Sequence, residues 1–396
     1  MSNLDKTRAI TIHDTNQSFS IVEIDSTDGF RALKAEWDAL LRSSQANRLF
    51  LSWQWQFGWW ETWSQDPGMR LLLLKACRQD RLVGIAPLYL DTVRLRGGMN
   101  VTRMQFIGNA WRKKATVRTE YLGFILADDE PAQIAAAFLE YVSAQHDWDE
   151  FVICDSVRDT DTYRQVRRSA ADNKWLVSEA EVDRGVKIDT SGDFETYLQS
   201  LGRNTRLKLY NRRKHLYAVG NVELTHASAN EAGTYFEILN AFHRRRWGRD
   251  CFAGPALSFH TNLVRRLGPA QSHDFSCLTI DGNPVSVSYN LQVEDTVYNI
   301  QSGFEENYDS KLSLGTLHMG FAIEAAFDSG TIQTFDLLAG GGKSEFYKKK
   351  YKGQAVEFVT LQITRNRLLR SFRAVYESLP VYMKRLISKS VSVLGL

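Results

Sequence analysis

The chain is poor in the features that most readily announce a chemistry. Its four cysteines, Cys77, Cys154, Cys251 and Cys277, lie far apart, with no CxxC pair and no His/Cys cluster. That pattern offers neither a zinc site nor a disulfide framework, so no metal is expected and reduced thiols in a cytoplasm fit best. Long apolar runs are missing too: stretches such as Leu71 to Leu74 are far too short to cross a bilayer. The opening residues, MSNLDKTRAITIHD, have no apolar h-region, which speaks against a signal peptide. Neither sign of charge dominates. Lys and Arg number 49 against 46 Asp and Glu, a net charge of +3, so composition gives no reason to expect a nucleic-acid partner. A sustained heptad run, a Ser-His-Asp triad and a GxSxG elbow are all absent.

What remains is a globular composition, 43% apolar and 24% charged. At 396 residues the chain is too long for one ordinary core, which suggests two domains. Ten tryptophans are many, and five of them fall within SWQWQFGWWETW. They imply a helix packed into a core or domain interface, or a platform on which a substrate stacks.

Periodicity sets the order of elements. FSIVEID reads as a strand, and Phe30 to Arg42 as a helix on which Leu33, Trp37, Leu40 and Leu41 share a face. LLLLKACRQDRLVGIAPLYL reads as a hairpin turning at Arg78–Arg81. RMQFIGN and EYLGFIL read as strands, PAQIAAAFLEYVSAQ as a helix with Pro131 in its first turn, EFVICDSV as a strand and DTYRQVRRSAADN as a helix. A second cycle follows. Helices are expected over 193–201 and over the basic segment 205–219, then a strand NVELTHA and two more helices ending in RRRWG and VRRLG. A hairpin turns at Asp281-Gly282. TVYNIQSGF, a helix from Gly315 to Asp328, TIQTFDLL and QAVEFVTLQITRN complete the cycle. The shared order suggests a duplicated α/β unit with a boundary near Gly185–Gly192. The expected divisions are 1–18 (a flexible N-terminus), 19–188, 189–364 with the active site, and a basic amphipathic tail over 365–396. That tail fits a helix docked on its own domain or a peripheral contact with an anionic membrane face.

The stretch GFEENYDSKLSLGTLH, from Gly303 to His318, links a strand to a helix. A helix's first turn has free N–H groups and a partial positive charge, and glycine lets a ligand approach the backbone. Lys311 adds a cation, while Ser313 and Thr316 add hydroxyls. With Leu314 and Gly315 these groups suit a pyrophosphate, although Ser313 also suits a plain helix cap. Glu305 and Glu306 are candidate general bases at the strand end. Asp336 suits a structural hydrogen-bonding role. His243 and Trp247, four residues apart, share a helix face with Arg246 nearby. They fit the lining of an acceptor cleft or a packing role between helices.

The order of strand, polar loop, Gly-opened helix, strand and basic aromatic loop resembles the GNAT acyltransferase superfamily. In that superfamily the fourth strand splays from its neighbour and the following loop holds the pyrophosphate of acyl-CoA. DGNPVSVSYNL, GFEENYDSKLSLGTL and FDLLAGGGKSEFYKKKY, together with RNTRLKLYNRRKHLYAVG, the HRRRWG helix, FLSWQWQFGWW and VGIAPLY, look like the tandem-GNAT group. That group includes the CelD-type proteins of bacterial polysaccharide synthesis and, more distantly, the Fem peptidyltransferases. The resemblance implies an α/β fold of two tandem GNAT-like domains, each a mixed, mostly antiparallel sheet flanked by helices, plus a C-terminal helical tail. It implies acyl-CoA as co-substrate and an amine of a small molecule, an amino sugar or a polysaccharide precursor as acceptor. By resemblance to the aromatic-Lys pair of the Fem group, Lys348 would stabilise the oxyanion and Tyr347 would line the acyl or thiol end. KKKYK also fits a solvated basic loop. The group's "SPG" proline is Leu314 here, and its "GfD" aspartate is Glu305.

Three functions stay open: an acyl-CoA N-acyltransferase, an aminoacyl-tRNA-dependent peptidyltransferase, and a non-catalytic subunit of a polysaccharide-assembly system. The balanced charge and missing heptads argue against the RNA donor.

Overall fold

A computed structural model describes residues 9–14, 17–94, 99–268, 271–340 and 347–371. Contacts divide the chain into two units, residues 1–182 with 358–396, and residues 183–357. Of the tail expected over 365–396, the part beyond residue 371 lies outside the described residues, as does the segment 341–346. Among the described residues no helix is long and apolar enough to cross a membrane.

In the first unit, β1 (Ala9–Asp14) pairs with β2 (Gln17–Ile24). The expected helix from Phe30 to Arg42 is two, α1 (Thr27–Ala32) and α2 (Lys34–Arg42), with Leu33 closing the first turn. Helix α3 (Trp53–Trp63) starts where the Ser52 hydroxyl accepts from the Trp55 N–H. Its apolar residues run round the helix, so it is a core helix. Trp53, Trp55, Trp59, Trp60 and Trp63 are all buried, which leaves no stacking platform. Two of the indole N–H groups are satisfied inside, Trp53 on Phe30 O at 3.2 Å and Trp55 on Thr119 Oγ1 at 3.0 Å, whereas the buried Trp59 N–H meets no acceptor among the described residues.

Strands β3 (Met69–Arg78) and β4 (Arg81–Arg94) form the expected hairpin. Gln79 and Asp80 both adopt positive φ, as a two-residue turn of this hand requires. After β5 (Asn100–Phe106), the stretch EYLGFIL pairs only over β6 (Ile125–Leu126). Tyr121 at φ 57° breaks the extended backbone there. Helix α4 (Pro131–Gln145), β7 (Glu150–Val157) and α5 (Asp161–Asp172) follow. The sheet order is β1-β2-β3-β4-β5-β7. Every neighbour in it is antiparallel except β5 and β7, which run parallel over three registered pairs, Arg103↔Glu150 to Gln105↔Val152. A strand the sequence reading lacked, β8 (Leu176–Asp189), carries the chain onward.

The second unit opens with α6 (Phe194–Ser200). The basic segment expected as one helix is α7 (Arg203–Arg206), a π-helical turn Leu207–Asn211 and α8 (Arg213–Leu216). Then come β9 (Val222–His226), α9 (Ala232–Trp247), α10 (Pro255–Arg266), β10 (Gln271–Ile280), β11 (Asn283–Val293), β12 (Thr296–Phe304), α11 (Leu314–Asp328) and β13 (Thr334–Ala339). A 3-10 turn Tyr347–Tyr351 precedes β14 (Gln354–Thr364), whose later part pairs with β7. The π turn has a tertiary cause. The Leu209 carbonyl approaches Gly320 of α11 so closely that a Cβ would lie 2.3 Å from it.

The two faces of this sheet differ. Phe275 and Tyr289 point to one face, where they pack against Phe236 of α9 and, through it, Phe252 and His260. Their neighbours Ser276 and Ser286 point to the other face. There His318 of α11 meets both hydroxyls, at 3.0 and 2.9 Å. Burial pushes His318 down to about 4 and His260 down to about 3, so both rings are neutral near pH 7.

Strand β12 runs parallel to β13 for three pairs only, Thr296↔Thr334, Val297↔Phe335 and Tyr298↔Asp336. Beyond them β12 keeps only β11 and β13 keeps only β8, each ladder carrying a register shift. The result is a wedge between two strands that share a base.

Candidate active site

The β12 side of the wedge is an open strand edge. The Glu305 N–H donates to Val285 O, so odd-numbered residues here turn towards β11 and even-numbered ones turn away from it. Ser302 therefore presents its N–H and C=O to the wedge. Side chains satisfy them: Gln301 Oε1 accepts from the N–H at 3.0 Å, and His243 Nε2 lies 3.2 Å from the carbonyl oxygen. Half-burial holds His243 below the ordinary histidine range, and Arg246 and Arg249 push the same way.

The β13 side is closed differently. Leu338 adopts φ 58°, and its N–H donates to the buried Asp336 carboxylate at 2.8 Å. This irregular turn gathers successive carbonyls around one cation. Lys348, 8% exposed, donates from Nζ to Leu337 O, to Leu338 O at 3.1 Å and to Ala339 O at 2.7 Å. An ammonium has three N–H groups, and all three are engaged by backbone. An αL residue of this kind is strain that the Asp336 and Lys348 bonds together hold in place.

At the open end, the last turn of α9 meets the end of β12. Arg245 donates to Glu305 at 2.7 Å and Arg246 pairs with Glu306 at 3.0 Å. The Arg246 guanidinium also lies over the rings of Trp247 and Phe304, 4.7 and 5.3 Å from their centroids. Trp247 is 60% exposed, unusual for a side chain with so much apolar surface.

Helix α11 starts beside this cluster. Ser313 makes no side-chain cap, and its carbonyl takes the Thr316 and Leu317 N–H groups. The N–H groups of Leu314 and Gly315 meet no partner among the described residues. Two free amides at a helix start, with no acidic side chain in the first turn, form an anion-receptive end. The glycine has a packing reason as well: a Cβ on Gly315 would sit 2.3 Å from the Phe304 ring. Before the helix, Asp309 accepts from the Lys311 N–H at 2.6 Å and pairs with His215 at 2.9 Å, which fixes the loop. These bonds, the Lys311 one foremost, hold Asp309 below the usual carboxylate range. The Lys311 side chain is exposed.

The structure thus gathers His243, Arg246, Trp247, Glu305 and Glu306 at one end of β12, with Leu314 and Gly315 reached through Phe304. Lys348 lies on the other arm, and the Tyr347 side chain is outside the described residues. Sequence reasoning missed Ser302, Gln301 and Phe304, whose importance comes from strand parity and an aromatic contact. It also gave no sign of the turn at Leu338. Among the described residues no group of three or more metal-ligating side chains occurs.

Residues 203–349 match the sequence profile described as an acetyltransferase (GNAT) domain. No curated protein matches the chain. The chain is similar to the solved structure of FemX, with 12% identity over 86% of this chain and 98% of that one, at TM-score 0.59. It is also similar to a conserved protein of unknown function from Bacteroides thetaiotaomicron VPI-5482, with 9% identity over 87% and 99% at TM-score 0.51. A tandem GNAT protein from the clavulanic acid biosynthesis pathway shares 11% identity over 87% and 98% at TM-score 0.45. At these identities the likeness is one of fold; the chain is mixed α/β, and the GNAT-domain match lies in its C-terminal part.

Proposed function

We propose that the second unit is an N-acyltransferase that moves an acyl group from acyl-CoA to an amine, carried by a small molecule, an amino sugar or a polysaccharide precursor. One observation carries the reading: the wedge between β12 and β13 opens beside the uncapped start of α11, inside the segment that matches a GNAT domain. The free N–H groups of Leu314 and Gly315 suit the pyrophosphate, with Lys311, Ser313 and Thr316 around it. The thioester arm would lie in the wedge along β12, beside the Ser302 backbone that Gln301 and His243 cap. His243, Arg246 and Trp247 line the acceptor side, where the exposed indole offers a flat face to a sugar ring or an alkyl chain.

Acyl transfer needs a donor for the developing oxyanion, and one such donor is worth about 10²–10³ in rate. Lys348 takes that part only by releasing one of its three carbonyls, so the β13 arm would tighten or loosen with the chemistry. By its resemblance to the aromatic-Lys pair of the Fem group, Tyr347 would line the acyl or thiol end.

A test is calorimetric titration with acetyl-CoA and longer acyl-CoAs, followed by a mass-spectrometric screen of amines for mass gain. Micromolar binding and an acylated amine are expected. Absence of binding by every acyl-CoA would refute the donor. The basic residues Arg203, Arg206, Lys208 and Arg212, close together in sequence, favour a second reading, an aminoacyl-tRNA donor. Binding of charged tRNA without binding of CoA would select it.

A further inference from the structure

We propose that His243 is the proton acceptor of the transfer step, taking the amine proton on Nδ1 while its Nε2–H stays on the Ser302 carbonyl. The assignment deepens the acyl-transfer reading and rests on it. A carbonyl oxygen only accepts, so the ring nitrogen 3.2 Å away must hold the hydrogen. In a neutral ring the lone pair is then on Nδ1, and no partner among the described residues occupies it. The position is apt: His243 binds the strand edge that faces the wedge and stands one helical turn before the exposed Trp247.

The competing bases are engaged. Glu305 accepts from Arg245 at 2.7 Å and Glu306 pairs with Arg246 at 3.0 Å, so each commits one carboxylate oxygen to an ion pair. The charged groups facing His243 are Arg246 on its own helix, Arg249 just past it, and these two glutamates at the end of β12. Burial, ahead of the two arginines, keeps the ring neutral near pH 7.

The step balances. The amine lone pair attacks the thioester carbon, the N–C bond forms, and Nδ1 takes the amine proton. The C–S bond then breaks with its electron pair on sulfur, and the imidazolium returns the proton to that thiolate. The amide and CoA thiol leave, and His243 is neutral again.

The discriminating variant is His243→Gln in the full chain. A Gln amide reaches as far as Nε2 and can still donate to Ser302, so a merely structural histidine would be replaced at little cost. We expect kcat to fall about 10²-fold or more, the KM for acyl-CoA to change less than twofold, the acid limb of the pH–kcat profile to vanish, and added imidazole to restore part of the rate. Parent-like kcat with the acid limb intact overturns the assignment. Nitrogen-15 spectra of the imidazole, assigned with the same variant, test it independently of the donor. The Nε2–H tautomer at pH 7, titrating below pH 6.5, supports it; an Nδ1–H tautomer or a charged ring at pH 7 overturns it. If the parent turns over no acyl-CoA, the donor reading fails and these spectra alone decide the role of His243.

Discussion

Among the described residues each unit has a parallel strand pair three residues long, and the two pairs are finished in opposite ways. In the first unit, rings from both arms meet: Phe106 of β5 lies 5.8 Å from Phe151 of β7 and 5.2 Å from Phe124. Beneath them Arg103 pairs with Glu150 at 2.5 Å, both almost wholly buried, and donates to Trp111 O. The following helix, α4, has Pro131 in its first turn, so one amide is missing, and Asp128, Asp129 and Glu130 precede it. In the second unit the arms are capped by His243, Gln301 and Lys348, and α11 starts with free amides and no acid. The same strand geometry is filled by rings in one unit and capped by polar side chains in the other. Side chains around a wedge, not the wedge itself, decide what it can hold.

The largest expected effect tests the filled wedge. Arg103→Ala leaves the Glu150 carboxylate buried without its guanidinium, which should cost about 3–5 kcal/mol in urea unfolding. Acyl-CoA affinity of the folded protein should stay within twofold. A loss under 1 kcal/mol would mean that the first wedge is not a sealed core.

Acid should separate the units. His260 and His318, at about 3 and about 4, stay neutral when folded, whereas the unfolded chain takes protons near the ordinary value of 6.5. Stability is therefore full above pH 6.5 and falls as pH drops. Between pH 6.5 and 5.5 the two groups together remove roughly 2 kcal/mol. His226, raised chiefly by its bond to Asp274, works the other way but is exposed and counts for less. Hydrogen exchange should show α10 and α11 losing protection before α4; simultaneous loss would remove the contrast.

Charge at the two helix starts sharpens the comparison further. Ser313→Asp should weaken acyl-CoA binding about tenfold, equivalent to about 1.4 kcal/mol. Gln133→Asp, in the first turn of α4, should change it less than twofold. Equal effects would show that α11 is not the phosphate end. The smallest change expected is from Lys311→Ala, an exposed cation: about two- to threefold in affinity, vanishing at high salt.

Much of this fold was legible because its punctuation is local. Asp281-Gly282 turns a hairpin by its own φ preference, and Ser52 and Asp193 cap helices three residues ahead. The failures have non-local causes. The π turn at Leu207–Asn211 exists because a glycine more than a hundred residues later admits the Leu209 carbonyl. Strand β8 alternates charged residues such as Glu179, Glu181 and Asp183 with small or aliphatic ones, and a boundary was expected where it runs. The helix start at Leu314 could be read from its residue types. Its acceptor side could not, because the His243 bond to Ser302 spans 59 residues of sequence and needs the strand's parity. Lys348 was singled out by resemblance alone, and no sequence pattern foretold the carbonyls that hold it.

That lysine belongs to a run of three, and its neighbours Lys349 and Lys350 are exposed. Amine-seeking labels react with uncharged, accessible nitrogen. Lys348 offers neither property while Leu337, Leu338 and Ala339 encircle its tip. Selective modification along KKKYK therefore becomes a gauge of the β13 arm: a tag at Lys348 marks the moments when the ring of oxygens lets go, and the ratio to Lys349 counts them.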